Sequence, residues 1–215
     1  MKITFLGTGT SQGIPMIANN DPVCLSDNPK DNRLRSSIMI SWNDIRYIID
    51  CGPDFRQQML RENIQSINGV LFTHEHADHT AGIDDLRPYT YKMGEVPIYA
   101  QKRVIENLKV RFSYIFETVN RYAGAPKLTE NIIDYKTFIL NGINVSPIAI
   151  MHGNLPITAY RFGNVAYITD LKTISDQEKK KLKNLDILIV NALRIAAHPT
   201  HLNLEEALAF VNEIK

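Results

Sequence analysis

Between Thr73 and His79 the chain reads Thr-His-Glu-His-Ala-Asp-His, directly after the short apolar run that starts at Gly69. Half of the chain's six histidines fall in this window. That clustering argues against a polar loop that merely happens to hold three imidazoles. Imidazole nitrogen and carboxylate oxygen are the ligands of borderline divalent cations such as zinc, and carboxylate widens the choice toward manganese and iron. Residues i and i+2 of an extended backbone point the same way, so His74 and His76 can hold one ion. A turn into a helix then swings Asp78 and His79 toward a second point. Such a segment requires a strand, a sharp exit and a helix start within a few residues.

The remainder of the chain is ordinary globular sequence. Of 215 residues, 44% are hydrophobic and 22% charged, which excludes disorder, collagen and coiled coil as whole-chain descriptions. Lys plus Arg is 24 against 23 for Asp plus Glu, so nothing in the net charge of +1 demands nucleic acid or an anionic membrane. The basic cluster Lys179, Lys180, Lys181 and Lys183 has no interleaved aromatics and reads as a solvated helix face. Two cysteines, Cys24 and Cys51, are too few for a disulfide scaffold. The N-terminus lacks the long apolar core of a signal peptide, and no run approaches the roughly 20 apolar residues of a membrane helix. The expected setting is cytoplasmic, without a membrane partner.

Periodicity predicts strands at 2–6, 37–42, 45–49, 69–73 and 97–100, then at 132–133, 138–140, 143–150, 157–162, 165–169 and 186–190. Helical spacing covers 53–62, 101–111, 175–183 and 203–214, with Asn203 as a cap. Residues 18–35 read as a surface excursion, and 112–130 are mixed. The expected class is α+β, one domain over 1–215, with two mostly antiparallel sheets and helices outside.

His-x-His-x-Asp-His after a short strand resembles the metallo-β-lactamase superfamily in its dinuclear hydrolase form, an αββα sandwich. The resemblance implies further metal ligands at His152, after a strand, and at Asp170, in Tyr167-Ile168-Thr169-Asp170. It also implies that Asp50, in Ile49-Asp50-Cys51-Gly52, supports a ligand imidazole from behind. The start Gly7-Thr8-Gly9-Thr10-Ser11-Gln12-Gly13-Ile14-Pro15, with Arg33-Leu34-Arg35 and Pro199-Thr200-His201-Leu202-Asn203, is similar to the branch holding the cyclic phosphodiesterase of the carbon–phosphorus lyase pathway. In that branch a His matching His201 is the general acid.

The resemblance implies two divalent ions, Zn or Mn, sharing a hydroxide that attacks a small, cyclic phosphodiester. Asp78 and His201 are then catalytic, and Arg33, Arg35 and His198 are candidate substrate contacts. Two departures carry expectations of their own. Relatives hold a structural zinc with three cysteines where this chain has Asn19, Asp21 and Cys24, so that zinc is expected to be lost. Relatives also continue past the helix at 203–214 into a strand and a His segment that completes the second metal, so truncation and a weakened second site are expected. The alternatives are a tRNA 3′-end endonuclease of the same superfamily, with 85–130 the only segment long enough for its tRNA-gripping arm, and a catalytically impaired remnant. Nucleic acid is not the expected partner, and a homodimer is left open.

Overall fold

A computed structural model describes residues 1–214, and it separates into two compact units, Met1–Ile133 and the chain from Asp134 onward. The first is built on a six-stranded sheet in the order β1 (Lys2–Gly7), β2 (Ser37–Trp42), β3 (Ile45–Ile49), β4 (Gly69–Leu71), β5 (Val96–Ala100), β6 (Leu128–Ile132). Pairing puts Met39, Ile48, Val70 and Ile98 in one row across four strands. This row forms the floor of a core that also takes in Phe55, Met59, Leu86, Tyr89, Val104 and Leu108.

The sheet is more mixed than the alternation predicts. β1–β2 and β2–β3 are antiparallel, whereas β3–β4, β4–β5 and β5–β6 are parallel. The reason lies in the connections, since parallel neighbours need a crossover of a dozen or more residues. Helix α1 (Phe55–Arg61) follows β3, α2 (Ala77–Thr80) and α3 (Arg87–Met93) follow β4, and α4 (Lys102–Arg111) with α5 (Ser113–Phe116) follows β5. α3 falls where the sequence reading assigns no element. Pro88 sits in its first turn, and Gly94 stops it at φ 90°. Residues 85–130, the candidate for a tRNA-gripping arm, place Leu86, Tyr89, Val96, Ile98, Val104, Ile105, Leu108 and Ile115 in the core.

The second unit is a five-stranded sheet in the order β11 (Ile187–Val190), β10 (Val165–Ile168), β9 (Leu155–Phe162), β8 (Ile143–His152), β7 (Phe138–Leu140). Only β10–β11 is parallel. Because β8 and β10 both run antiparallel to β9, their C-terminal ends lie on the same side. Ile148, Ile150, Ile157, Ala159, Ala166 and Ile168 pack against Leu182, Ala207 and Phe210, the last two from α7 (Leu204–Ile214). The charged stretch at 175–183 divides into α6 (Asp176–Lys179) and one 3-10 turn. Among the described residues no helix is long and apolar enough to cross a membrane.

Asn203 caps α7 as expected. Its Oδ1 accepts from the Glu206 N–H at 2.8 Å, and Glu206 Oε2 accepts from the Asn203 N–H at 2.9 Å, a reciprocal capping box. Asn203→Ala is expected to cost about 1 kcal/mol in denaturant unfolding, with the slope unchanged. An unchanged midpoint would show that the cap contributes nothing.

Candidate metal centre

Parallel pairing of β3 and β4 sets their C-terminal ends side by side, which places Asp50 next to Thr73. Asp50 is fully buried and held at φ 64°, in the left-handed region that costs a non-glycine residue energy and recurs at functional sites. Its Oδ1 accepts from the Thr73 N–H at 2.8 Å. Its Oδ2 accepts from the Thr73 hydroxyl at 2.8 Å and pairs with His79 Nδ1 at 2.7 Å. Burial pushes the Asp50 pKa up, while His79 and Thr73 pull it back.

These contacts decide where the imidazole protons sit. A carboxylate is an acceptor, so His79 carries its proton on Nδ1 and its lone pair on Nε2. The Thr73 hydroxyl gives its one proton to Asp50, so its oxygen accepts from His74 Nδ1, 2.9 Å away. His74 therefore also carries its lone pair on Nε2. That atom faces His76 Nδ1 at 3.0 Å, and His79 Nε2 faces Asp78 Oδ2 at 3.2 Å. The backbone leaves β4, passes His74 and His76 without regular secondary structure, with His76 at φ −57° and ψ 150°, and enters α2, which contains Asp78 and His79. This is the strand, exit and helix start that the spacing requires.

The second unit arranges its own set in the same way. His152 ends β8, and its Nδ1–H donates to the Thr200 carbonyl at 2.8 Å, again leaving the lone pair on Nε2. Asp170 follows β10 at φ 56°, a second carboxylate in the left-handed region. His201 Nδ1 lies 3.3 Å from Asp170 Oδ1, and the His201 ring is 4.5 Å from His152 and 4.9 Å from His198. That nitrogen is buried without a hydrogen bond of good geometry. His198 Nδ1 accepts from the Thr200 N–H at 3.3 Å. Desolvation, then the neighbouring His201 and Arg194, holds His198 below the usual imidazole range.

A model of the Beta-lactamase superfamily domain matches residues 45–215. The chain belongs to the metallo-β-lactamase superfamily. A crystal structure described as a new diphosphatase from the PhnP family is 38% identical, with a TM-score of 0.91 over 99% of this chain and 81% of that one. A curated octanoyltransferase of Porphyromonas gingivalis is 40% identical over 100% of this chain and 44% of its own length. A ribonuclease Z of Methanococcus maripaludis is 28% identical over 77% of this chain and 49% of its own. The chain thus spans about half the length of these two curated relatives.

The residues fit the divalent cations that the metallo-β-lactamase fold implies. The donors are nitrogen and oxygen, suited to zinc or manganese. Three imidazoles have their tautomer set by an acceptor behind the ring, the arrangement that keeps the opposite nitrogen as a ligand. Two nitrogens about 2.0–2.1 Å from one tetrahedral ion lie roughly 3.3 Å apart, close to the His74–His76 separation.

The candidate substrate arginines are engaged locally. Arg35 Nη1 pairs with Asp54 at 2.9 Å and its Nε–H donates to the Ser11 carbonyl, while Arg33 Nη1 donates to Thr8 Oγ1 at 3.4 Å. Both brace the glycine-rich start. At the altered cysteine positions, Cys24 Sγ accepts from the Met16 N–H and Asn19 Oδ1 from the Asp21 N–H. Sequence reasoning missed Thr73, the relay between Asp50 and His74, and Thr200, the acceptor for His152. Their only sequence signal is adjacency to a candidate ligand or acid.

Proposed function

We propose that this chain is a metal-dependent phosphodiesterase acting on a small phosphodiester, with a diphosphate linkage as the nearest variant. In this reading His74, His76, Asp78, His79, His152 and Asp170 are the metal ligands, and Asp50 holds His79 and Thr73 behind them. Divalent cations held there would polarise phosphoryl oxygens and lower the pKa of water toward neutrality. The single observation that carries the reading is the fixing of the imidazole tautomers of His74, His79 and His152 by Thr73, Asp50 and the Thr200 carbonyl. The 38% identity to a PhnP-family diphosphatase supports phosphorus as the centre attacked.

His201 is the proton donor to the leaving oxygen, oriented by Asp170 beside its Nδ1. A general acid matters most for a poor leaving group. His201→Ala is therefore expected to lower kcat on a ribose cyclic phosphate by 10²–10⁴-fold. It should change the rate on bis(p-nitrophenyl) phosphate, whose leaving group needs no proton, by less than about tenfold. Equal losses on both substrates would remove His201 from that role.

The ribonuclease Z relatives favour a second reading, cleavage of a tRNA 3′ trailer. Against it, residues 85–130 form α3, β5, α4, α5 and most of β6 and pack Leu86, Tyr89, Val104 and Leu108 into the core. Cleavage of a precursor tRNA by the zinc- or manganese-loaded chain, with no hydrolysis of small diesters, would reverse the order of the two. The octanoyltransferase name belongs to a protein of which the matched segment is 44%. A thiol acyl carrier is a poor role for Cys51, which is fully buried with its pKa pushed up by that burial.

A further inference from the structure

The ligand loop has a second set of contacts, and it runs through the residue between the first two histidines. The Glu75 carboxylate pairs through Oε1 with Arg103 Nη1. Its side chain is 17% exposed, and its other oxygen, Oε2, is buried without a hydrogen-bond partner. The Glu75 carbonyl accepts from Arg111 Nη1 at 2.6 Å. Arg111 Nη1 also donates to Thr80 Oγ1 at 3.0 Å, and that hydroxyl donates to the His76 carbonyl at 2.8 Å. Both arginines belong to α4, one near its start and one at its end. The helix is seated by Val104, Ile105 and Leu108, all at most 1% exposed. A core-anchored helix therefore grips Glu75 by carboxylate and carbonyl together.

We propose that Arg103 and Arg111 are positioning residues that hold the His74–His76 pair ready for a cation. The inference rests on the metal reading above. In extended backbone the side chain at i+1 leaves on the face opposite i and i+2, so a grip on Glu75 sets the direction of both rings. Arg103 supplies the counter-charge for a mostly buried carboxylate. Without it Glu75 turns toward water, the 75 peptide rotates, and the facing nitrogens of His74 and His76 separate. An ordinary surface ion pair would leave the ligands indifferent.

The test is Co(II) titration of this chain and of Arg103→Ala, Arg111→Ala and Arg103→Lys, read by the d–d absorption band and by chelator competition. Thermal unfolding of each metal-free protein is measured alongside. The alanine variants are expected to bind Co(II) about 10–100-fold more weakly with a shifted band, while metal-free midpoints stay near the parent. Arg103→Lys keeps the charge but not the fork and is expected to recover part of the loss. Parent-like affinity and band in both alanine variants would overturn the inference, as would an affinity loss that merely tracks lost metal-free stability. A parent chain that takes up no Co(II) would overturn the metal reading and this inference together.

Discussion

Gly52→Ala is expected to destabilise the protein by about 3 kcal/mol and to weaken divalent-metal binding at least tenfold. A Cβ at Gly52 would lie 1.9 Å from the Asp78 carbonyl oxygen, a distance real Cβ atoms essentially never show. The obstacle is backbone, so no side-chain rotation relieves it. The turn after β3 must then pull away from the 78–79 segment. That would break the Cys51 N–H bond to the His79 carbonyl at 2.9 Å and carry Asp50 away from His79 Nδ1. Gly82 is equally confined, with its added Cβ 2.1 Å from the Gly52 carbonyl. Denaturant unfolding and metal titration of the same preparation check the expectation. A Gly52→Ala protein with parental stability and affinity would mean that the two segments can separate at no cost.

Asp50→Ala is expected to remove about 3–5 kcal/mol and to weaken metal binding by about 10–100-fold. One buried carboxylate serves three donors, the Thr73 N–H, the Thr73 hydroxyl and His79 Nδ1–H. Thr73 and His79 are each 1% exposed, so water cannot replace the acceptor. Without it His79 is no longer fixed as the Nδ1–H tautomer. The Thr73 hydroxyl is then free to turn its proton toward His74 Nδ1, which would move the lone pair on that ring as well. Asp50→Asn is expected to fall between parent and alanine, because its amide offers one oxygen and sets two N–H donors against a donor. Equal metal affinity in all three proteins would show that the ligands need no support from behind.

Much of this site is legible in local sequence. The spacing of His74, His76, Asp78 and His79 requires an extended stretch followed by a helix, and α2 begins at Ala77. The β-prone runs that end at Asp50, His152 and Asp170 mark strand ends, and all three residues lie at or just past the C-terminal end of a strand. α3 was not legible, because Arg-Pro-Tyr-Thr-Tyr-Lys-Met mixes aromatic and β-branched residues of weak helix propensity. It forms because Tyr89 reaches the core and donates its hydroxyl to the Ile64 carbonyl. The parallel pairing of β3 through β6 was also hidden. Periodicity reports which face of a strand is buried and carries nothing about the direction of its neighbour.

The sequence by itself determined the chemistry of the candidate donors, the strand-to-helix exit that carries four of them, and the order of the other two candidates. These depend on backbone periods of two and 3.6 residues, which adjacent positions reveal. Tertiary structure decided which ring nitrogen of His74, His79 and His152 keeps its lone pair. Asp50 and Thr73 are 23 residues apart, His152 and Thr200 are 48 apart, and Glu75 and Arg103 are 28 apart. An imidazole tautomer depends on the acceptor that meets its other nitrogen. That acceptor is brought there by strand pairing and core packing, which no local pattern encodes.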